Sequence, residues 1–295
     1  MITEVAGRCG LCRTDGVELL DSHYVPRSLY KLIRDVRFQN PHPVLIGGGE
    51  SRISSRQASD YFLCSDCEDR FSKRGETWVL GNCWRDENNF KLRDALLAAQ
   101  PYPGSTRDTK IYLGAHIPGV DPDKLLYFGA SVFWRGAARS WQMDRLKVSQ
   151  LPFGRYEEHF RLFLLDQGPW PDKAVMYIFV GADVEAMRNN VVQMPAKIST
   201  NGSYIYRFRI PGITYLLLLG ERFKKYRSMC AYHADGRPIY IMDANDQWNF
   251  QDTMREYANS PRTGTLKNRV AGPDATPLKW PEEVLRRLLP PPRKK

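Results

Sequence analysis

Apolar positions along this chain keep helical time in some stretches and strand time in others. Leu29, Leu32, Ile33 and Val36 recur at i, i+3, i+4 and i+7 behind Pro26, which suits a first helical turn, so an amphipathic helix is predicted there. "DPDKLLYFGASVFWRGAARSW" (121–141) is the strongest helical stretch, with Asp121 as its cap and Pro122 in its first turn. Residues 153–167 read as a second amphipathic helix and 173–183 as a strand. "SYIYRFRI" and "ITYLLLLG" flank Pro211-Gly212 and predict a hairpin. Nearer the N-terminus, "DYFLC" reads as a short strand and "CEDRFSKRGETWVL" as a helix. Residues 38–59 are rich in Gly, Pro and Ser and read as a loop, 101–110 as a turn-rich connector, and "PPPRKK" as a frayed basic tail. Helices followed by antiparallel strands give an α+β class. The expected organisation is a small module over 1–80, a larger basic α+β domain over 81–285 and a tail over 286–295.

Composition narrows the class. At 295 residues with 42% apolar side chains, the chain can bury a full core and does not read as disordered. Its longest purely apolar run begins at Tyr215 and falls far short of the roughly 20 residues that a membrane span needs. "MITEVAGRCG" has no signal-peptide pattern, so a cytoplasmic protein without membrane contact is expected. The net charge of +10 favours a polyanion, nucleic acid being the usual one. Residues 1–76 hold 11 basic and 11 acidic side chains, so the whole surplus lies further along.

Four of the six cysteines form two pairs, Cys9-Gly-Leu-Cys12 and Cys64-Ser-Asp-Cys67. Four thiolates satisfy a tetrahedral Zn²⁺ with no open position, which makes a structural site. A redox reading needs one such pair beside a βαβ unit, a setting neither pair has. Cys83 and Cys230 read as ordinary semi-buried residues. Between the pairs lies "DSHYVPR", in which a neutral His23 can take a proton from water and Arg27 can hold a phosphate.

C-x-x-C, then S-H-x-x-P-R, then L-C-x-x-C-E running into a helix resembles the HNH endonucleases, the ββα-metal or His-Me finger nucleases. More narrowly the chain resembles a bacterial group of HNH-type proteins, several tied to defence against phage. "SVFWRGAARS" is similar to a segment downstream of the zinc module in that group. The resemblance covers about the first 76 residues and implies a treble-clef zinc module and a one-metal hydrolysis of phosphodiester bonds. On that reading His23 is the general base. Glu68 falls where many such enzymes place a metal-binding histidine, and a carboxylate there suits Mg²⁺ or Mn²⁺.

The chain also departs from that pattern. Ser22 stands where a metal-binding Asp often precedes the base, and Asp21, one strand position away, faces the other side. No Asn precedes the second knuckle, and Asp60 is the candidate to orient the imidazole, with Asn40 and His42 as others. Glu76 reads as a solvated helix carboxylate or a further ligand, and Trp134 and Arg135 as core packing and a buried ion pair. Arg286, Arg287, Arg293, Lys294 and Lys295 are candidate phosphate contacts. "IGGGE" lacks the Gly-Lys-Ser/Thr ending of a phosphate loop. The expected partner is nucleic acid, DNA first, with a protein partner or a second copy also possible. The rival readings are a zinc-stabilised nucleic-acid-binding module without catalysis and a protein-interaction or regulatory subunit.

Overall fold

β1 (Val5–Gly7), β2 (Val17–His23) and β5 (Ser59–Leu63) form an antiparallel sheet in the order β1-β2-β5. A computed structural model describes residues 5–34, 42–47, 50–86, 88–143, 146–182, 191–198, 204–232, 235–242 and 261–263. Between β2 and β5 in the chain come α1 (Arg27–Leu32), β3 (Val44–Gly47) and β4 (Glu50–Ile53). α1 is shorter than predicted, with Pro26 at its cap, and Val36 and Asn40 lie outside the described residues. The stretch 38–59, expected as a loop, instead carries the antiparallel hairpin β3–β4, paired from Val44↔Ile53 to Gly47↔Glu50. The short apolar run Val44–Ile46 and the Gly48-Gly49 pair that follows are a hairpin signal that the surrounding Pro and Ser mask.

Directly after Cys64 the chain turns into α2 (Ser65–Phe71), a π-helical turn (Ser72–Glu76) and α3 (Thr77–Asn82), continuous with one another. α4 (Lys91–Leu97), β6 (Thr109–Leu113) and α5 (Pro122–Ala138) follow, then the hairpin β7 (Trp141–Met143) and β8 (Leu146–Val148), and α6 (Tyr156–Leu164). α5 starts as predicted: the Asp121 carboxylate accepts from the Lys124 N–H at 3.0 Å. It stops at Ala138 rather than Trp141, because Arg139 is extended and Trp141 turns back to stack on Tyr24 at 5.4 Å.

β9 (Ala174–Gly181), β10 (Gln193–Lys197), β11 (Tyr204–Ile210), β12 (Ile213–Leu219) and β13 (Pro238–Met242) join β6 in a six-stranded sheet, ordered β10-β11-β12-β9-β13-β6. Only β13 and β9 run parallel. The last strand, β14 (Arg262–Thr263), pairs with β4. The chain is therefore a mixed α+β protein. The period of two divides the large sheet cleanly. Ala174, Met176, Ile178 and Val180 join Ile213, Tyr215, Leu217 and Leu219 in the main core. Val175 and Leu218 point the other way, onto Phe223 and Cys230 beside a 3₁₀ segment, Glu221–Met229.

α5 lies between this sheet and the N-terminal module, and one cluster of buried side chains runs from Cys9 to Ile241. Every residue from Leu125 to Ala137 is buried, as expected of a helix apolar on all sides. Among the described residues no helix is long and apolar enough to cross a membrane. Glycines set how closely α5 is approached. A Cβ on Gly129 would lie 2.7 Å from the Tyr215 ring, and one on Gly75 would lie 3.0 Å from the Phe128 backbone.

A third close approach gives a test. A Cβ on Gly136 would fall 2.0 Å from the Tyr24 hydroxyl, which is buried without a hydrogen-bond partner. Gly136→Ala should destabilise the protein by about 1–3 kcal/mol through overpacking. Tyr24→Phe should be near neutral, because the hydroxyl it removes is unsatisfied. The double variant should lose less than the sum of the two, read by denaturant unfolding.

Candidate metal centre and the histidine edge beside it

Cys9, Cys12, Cys64 and Cys67 bring their sulfurs within 4.8 Å of one another. Four sulfurs about 2.3 Å from one ion sit about 3.8 Å apart at the corners of a tetrahedron. Cys12 Sγ and Cys64 Sγ lie 3.8 Å apart, far from the roughly 2.05 Å of a disulfide. The donor set is thus spaced for a metal ion such as zinc. Local backbone explains the spacing. Cys9 N–H donates to the Thr14 carbonyl at 3.0 Å, and Gly10 N–H to the Phe62 carbonyl at 2.9 Å. That folds the first knuckle against β5. On the second, the N–H groups of Cys67 and Glu68 both donate to the Cys64 carbonyl at 3.1 Å.

The cluster readies one of its thiols to ionise. Hydrogen bonding from Cys67 and from the backbone N–H of Cys64 brings the Cys9 thiol down to about 4, although burial opposes it. Cys67 is pushed up, first by that same hydrogen bond to Cys9, and Cys64 is pushed up by burial. A cation displaces the protons that remain. An open cavity of 480 Å³ lies against Cys12, Cys64 and Cys67, with Glu18, Asp66 and Arg70 also on its wall.

Side chains from late in the chain grip the module. Arg161, nearly buried on α6, donates to the Leu11 carbonyl at 2.7 Å and pairs with Glu158 at 2.8 Å. Glu158 also takes Arg13, and its carboxyl is held below the ordinary range, chiefly by Arg161. Arg70 and Arg74 converge on Asp166, which Arg74 above all holds in its charged form.

His23 ends β2. The β2–β5 register shifts between Leu20 and Asp21: Leu20 pairs with Leu63, but Asp21 pairs with Tyr61, Ser22 with Asp60 and His23 with Ser59. This bulge lets consecutive Phe62 and Leu63 both be buried. Ser22 fills it: its Oγ accepts from the Leu63 N–H at 3.1 Å and donates to the Leu20 carbonyl at 3.3 Å. Ser22 is therefore buried and occupied with backbone. Asp21 and His23, two residues apart, share a strand face with Tyr61 and Ser59, while Asp60 lies on the opposite face and pairs with Arg139. The structure does not bring Asp60 to His23. Asp21, through its charge and its backbone, is the acidic residue of β2 that acts on the imidazole. Burial holds His23 below its ordinary value, with Arg27 in the same direction and with Asp21 and Glu68 opposing. Glu68, in the first turn of α2, is therefore within electrostatic reach of His23, as is Arg27, exposed at the start of α1. That strand face, visible in the alternation of "DSH", is the signal by which sequence reasoning could have paired Asp21 with His23.

Behind Glu68 sits a buried charge. The Arg135 side chain is 2% exposed, and its Nη2 lies 2.7 Å from Glu76 Oε1 and 3.9 Å from Glu68 Oε2. Its guanidinium lies 4.6 Å from the Phe71 ring centre. Glu76, read from the sequence as a solvated carboxylate, is thus largely buried, and Arg135 makes the expected buried ion pair. The π-turn explains how two carboxylates eight residues apart meet one arginine. At about 100° per residue they would stand about 80° apart on a straight α-helix. A π-turn absorbs one extra residue, so the offset falls to roughly 20°. Trp134 is core packing: it lies 5.6 Å from Phe62 and donates to Glu157 at 2.7 Å. His42 lies just before β3, and the five C-terminal basic candidates fall outside the described residues.

Metal analysis of the purified chain should give one equivalent of zinc. Cys9→Ser and Cys67→Ser should each lower it and reduce thermal stability, and a strong chelator should do the same to the wild type by way of the open cavity. Arg135→Ala, which strands the buried Glu76, should cost about 3–5 kcal/mol by denaturant unfolding.

Among known proteins, no family model, no curated protein and no solved structure matches the chain.

Proposed function

We propose that the protein is a metal-dependent nuclease of the ββα-metal kind, acting on DNA, with a structural Zn²⁺ held by Cys9, Cys12, Cys64 and Cys67. One observation carries the reading: His23, at the end of β2, and Glu68, one residue past Cys67, lie within electrostatic reach of each other. Two antiparallel strands, β2 and β5, and the helix α2 that follows β5 support it, although α1, β3 and β4 intervene between the strands. The resemblance noted in the motifs adds defence against phage as a setting.

Glu68 suits a hard divalent cation. Its Oε1 is buried and has no hydrogen-bond partner, and an oxygen donor is what Mg²⁺ or Mn²⁺ prefers. When bound, such a cation would offset charge on the phosphate and on the leaving oxygen. The protein's own part is proton handling and placement. A ring nitrogen of His23 would take a proton from the attacking water as the new P–O bond forms and the bond to the leaving oxygen breaks. Burial keeps His23 neutral, hence basic, around pH 7. Arg27 stands exposed near His23 to meet a phosphate oxygen.

A second reading, a zinc-stabilised nucleic-acid-binding module that does not cut, rests on a different observation. Among the described residues, the four thiolates are the one group of three or more candidate ligands gathered within 4.8 Å. It predicts binding that survives loss of His23 and weakens steeply with salt.

The test presents zinc-loaded protein with plasmid, linear duplex, single-stranded DNA and RNA, with Mg²⁺ or Mn²⁺. Cleavage should disappear with EDTA and fall by about 100-fold or more in His23→Ala, the scale of a lost general base. Because the neutral imidazole is the active form and its value is lowered, the rate should fall toward acid with an inflection below 6.5. Equal cutting by His23→Ala would assign the chemistry elsewhere. Salt-sensitive binding without cutting would select the second reading.

A further inference from the structure

Arg135 lies on α5, more than 100 residues beyond His23, yet its guanidinium reaches the helix that carries Glu68. It is 1% exposed as a residue, and its Nε and Nη1 make no hydrogen bond. An arginine left so dry is expensive unless its charge is used. Its charge goes to two carboxylates, Glu76 at 2.7 Å and Glu68 at 3.9 Å, both approached by the same Nη2. Position is imposed from three further sides. Phe71 lies under the guanidinium at 4.6 Å, Trp141 Nε1 donates to the Arg135 carbonyl at 3.0 Å, and the π-turn brings Glu76 round to the side of Glu68. π-turns inside helices recur at functional sites, where they re-aim side chains.

We propose that Arg135 is a positioning residue for Glu68. It anchors to Glu76, draws Glu68 Oε2 toward itself, and so leaves Oε1, buried and without a hydrogen bond, to face a divalent cation beside His23. This rests on the reading of Glu68 as a cation ligand. The arrangement has the form of an outer-shell partner: a charged group that touches neither cation nor substrate but fixes the carboxylate that does. A merely structural ion pair would need Glu76 alone. The second carboxylate comes within 3.9 Å of the same nitrogen, on a helix wound by one π-turn.

The experiment uses the full-length, zinc-loaded protein with Mn²⁺ as probe, and measures Mn²⁺ binding by loss of the free-ion EPR signal alongside cleavage. The key variant is Arg135→Met with Glu76→Gln, which removes both buried charges together and leaves the net charge unchanged. Any change in affinity then reflects aim rather than field. It should keep one zinc and a cooperative melt, bind Mn²⁺ about tenfold more weakly, and need about tenfold more Mn²⁺ for half-maximal cleavage. Arg135→Lys, which offers one point charge in place of a planar fork, should shift in the same direction and recover at high Mn²⁺.

Wild-type Mn²⁺ affinity in the folded double variant would overturn the proposal. So would wild-type affinity in Arg135→Lys, should the double variant not fold, or the absence of Mn²⁺ binding by the wild type. His23→Ala separates the two ideas. Loss of cleavage with Mn²⁺ binding intact supports the nuclease reading. Mn²⁺ binding that weakens in the Arg135 variants, in a protein that cuts nothing, supports the positioning role while the nuclease reading falls.

Discussion

A helix without a polar face has to be covered on every side, and α5 is that helix here. The six-stranded sheet covers one flank through Tyr215 and Met176. The N-terminal module covers another through Phe62, Phe71 and Tyr24, and α6 closes a third through Tyr127, whose hydroxyl donates to the Leu164 carbonyl at 2.8 Å. The cysteine module is thus a wall of the main core as well as a small fold of its own. Its sheet has three strands, and the cysteine cluster gathers its two knuckles together.

Against that apolar background the charged exception stands out. Arg135 is the one ionisable side chain of α5 between Tyr127 and Ala138, and it emerges where the helix faces the π-turn. Replacing a buried ion pair by packed apolar groups is often neutral or stabilising, so stability alone does not account for it. The same small region holds the two carboxylates, the bulge filled by Ser22 and the histidine with a lowered proton affinity. Local irregularities in both secondary structures, one in a strand and one in a helix, fall on either side of one cluster of ionisable groups.

Much of this was legible in the chain. The β11–β12 hairpin shows in its alternation and in Pro211-Gly212, α5 in its cap, and the four-cysteine cluster in its spacing. β6 and β13 were not legible, since each is only five residues long and their pairing, from Pro238↔Leu113 to Met242↔Thr109, joins segments far apart in sequence. Nor could counting residues place Asp60. A bulge shifts which face each side chain takes, and no residue in "SDYFLC" announces one. The π-turn has the same character. The spacing of Glu68 and Glu76 is out of phase for an α-helix, so the sequence argues against the meeting that the backbone arranges.

The bond from Arg161 to the Leu11 carbonyl spans 150 residues. The first knuckle, complete by Cys12, receives the Arg161 bond to its backbone only when α6 has been made. A nascent chain therefore exposes thiols long before the arginine that braces them exists. Closing so long a loop adds little free-energy penalty over a shorter one, about 0.6 kcal/mol per doubling of length. Its effect is on order of assembly: contacts of such high sequence separation slow folding, and here they tie the maturation of a small cysteine module to the arrival of the far half of the chain.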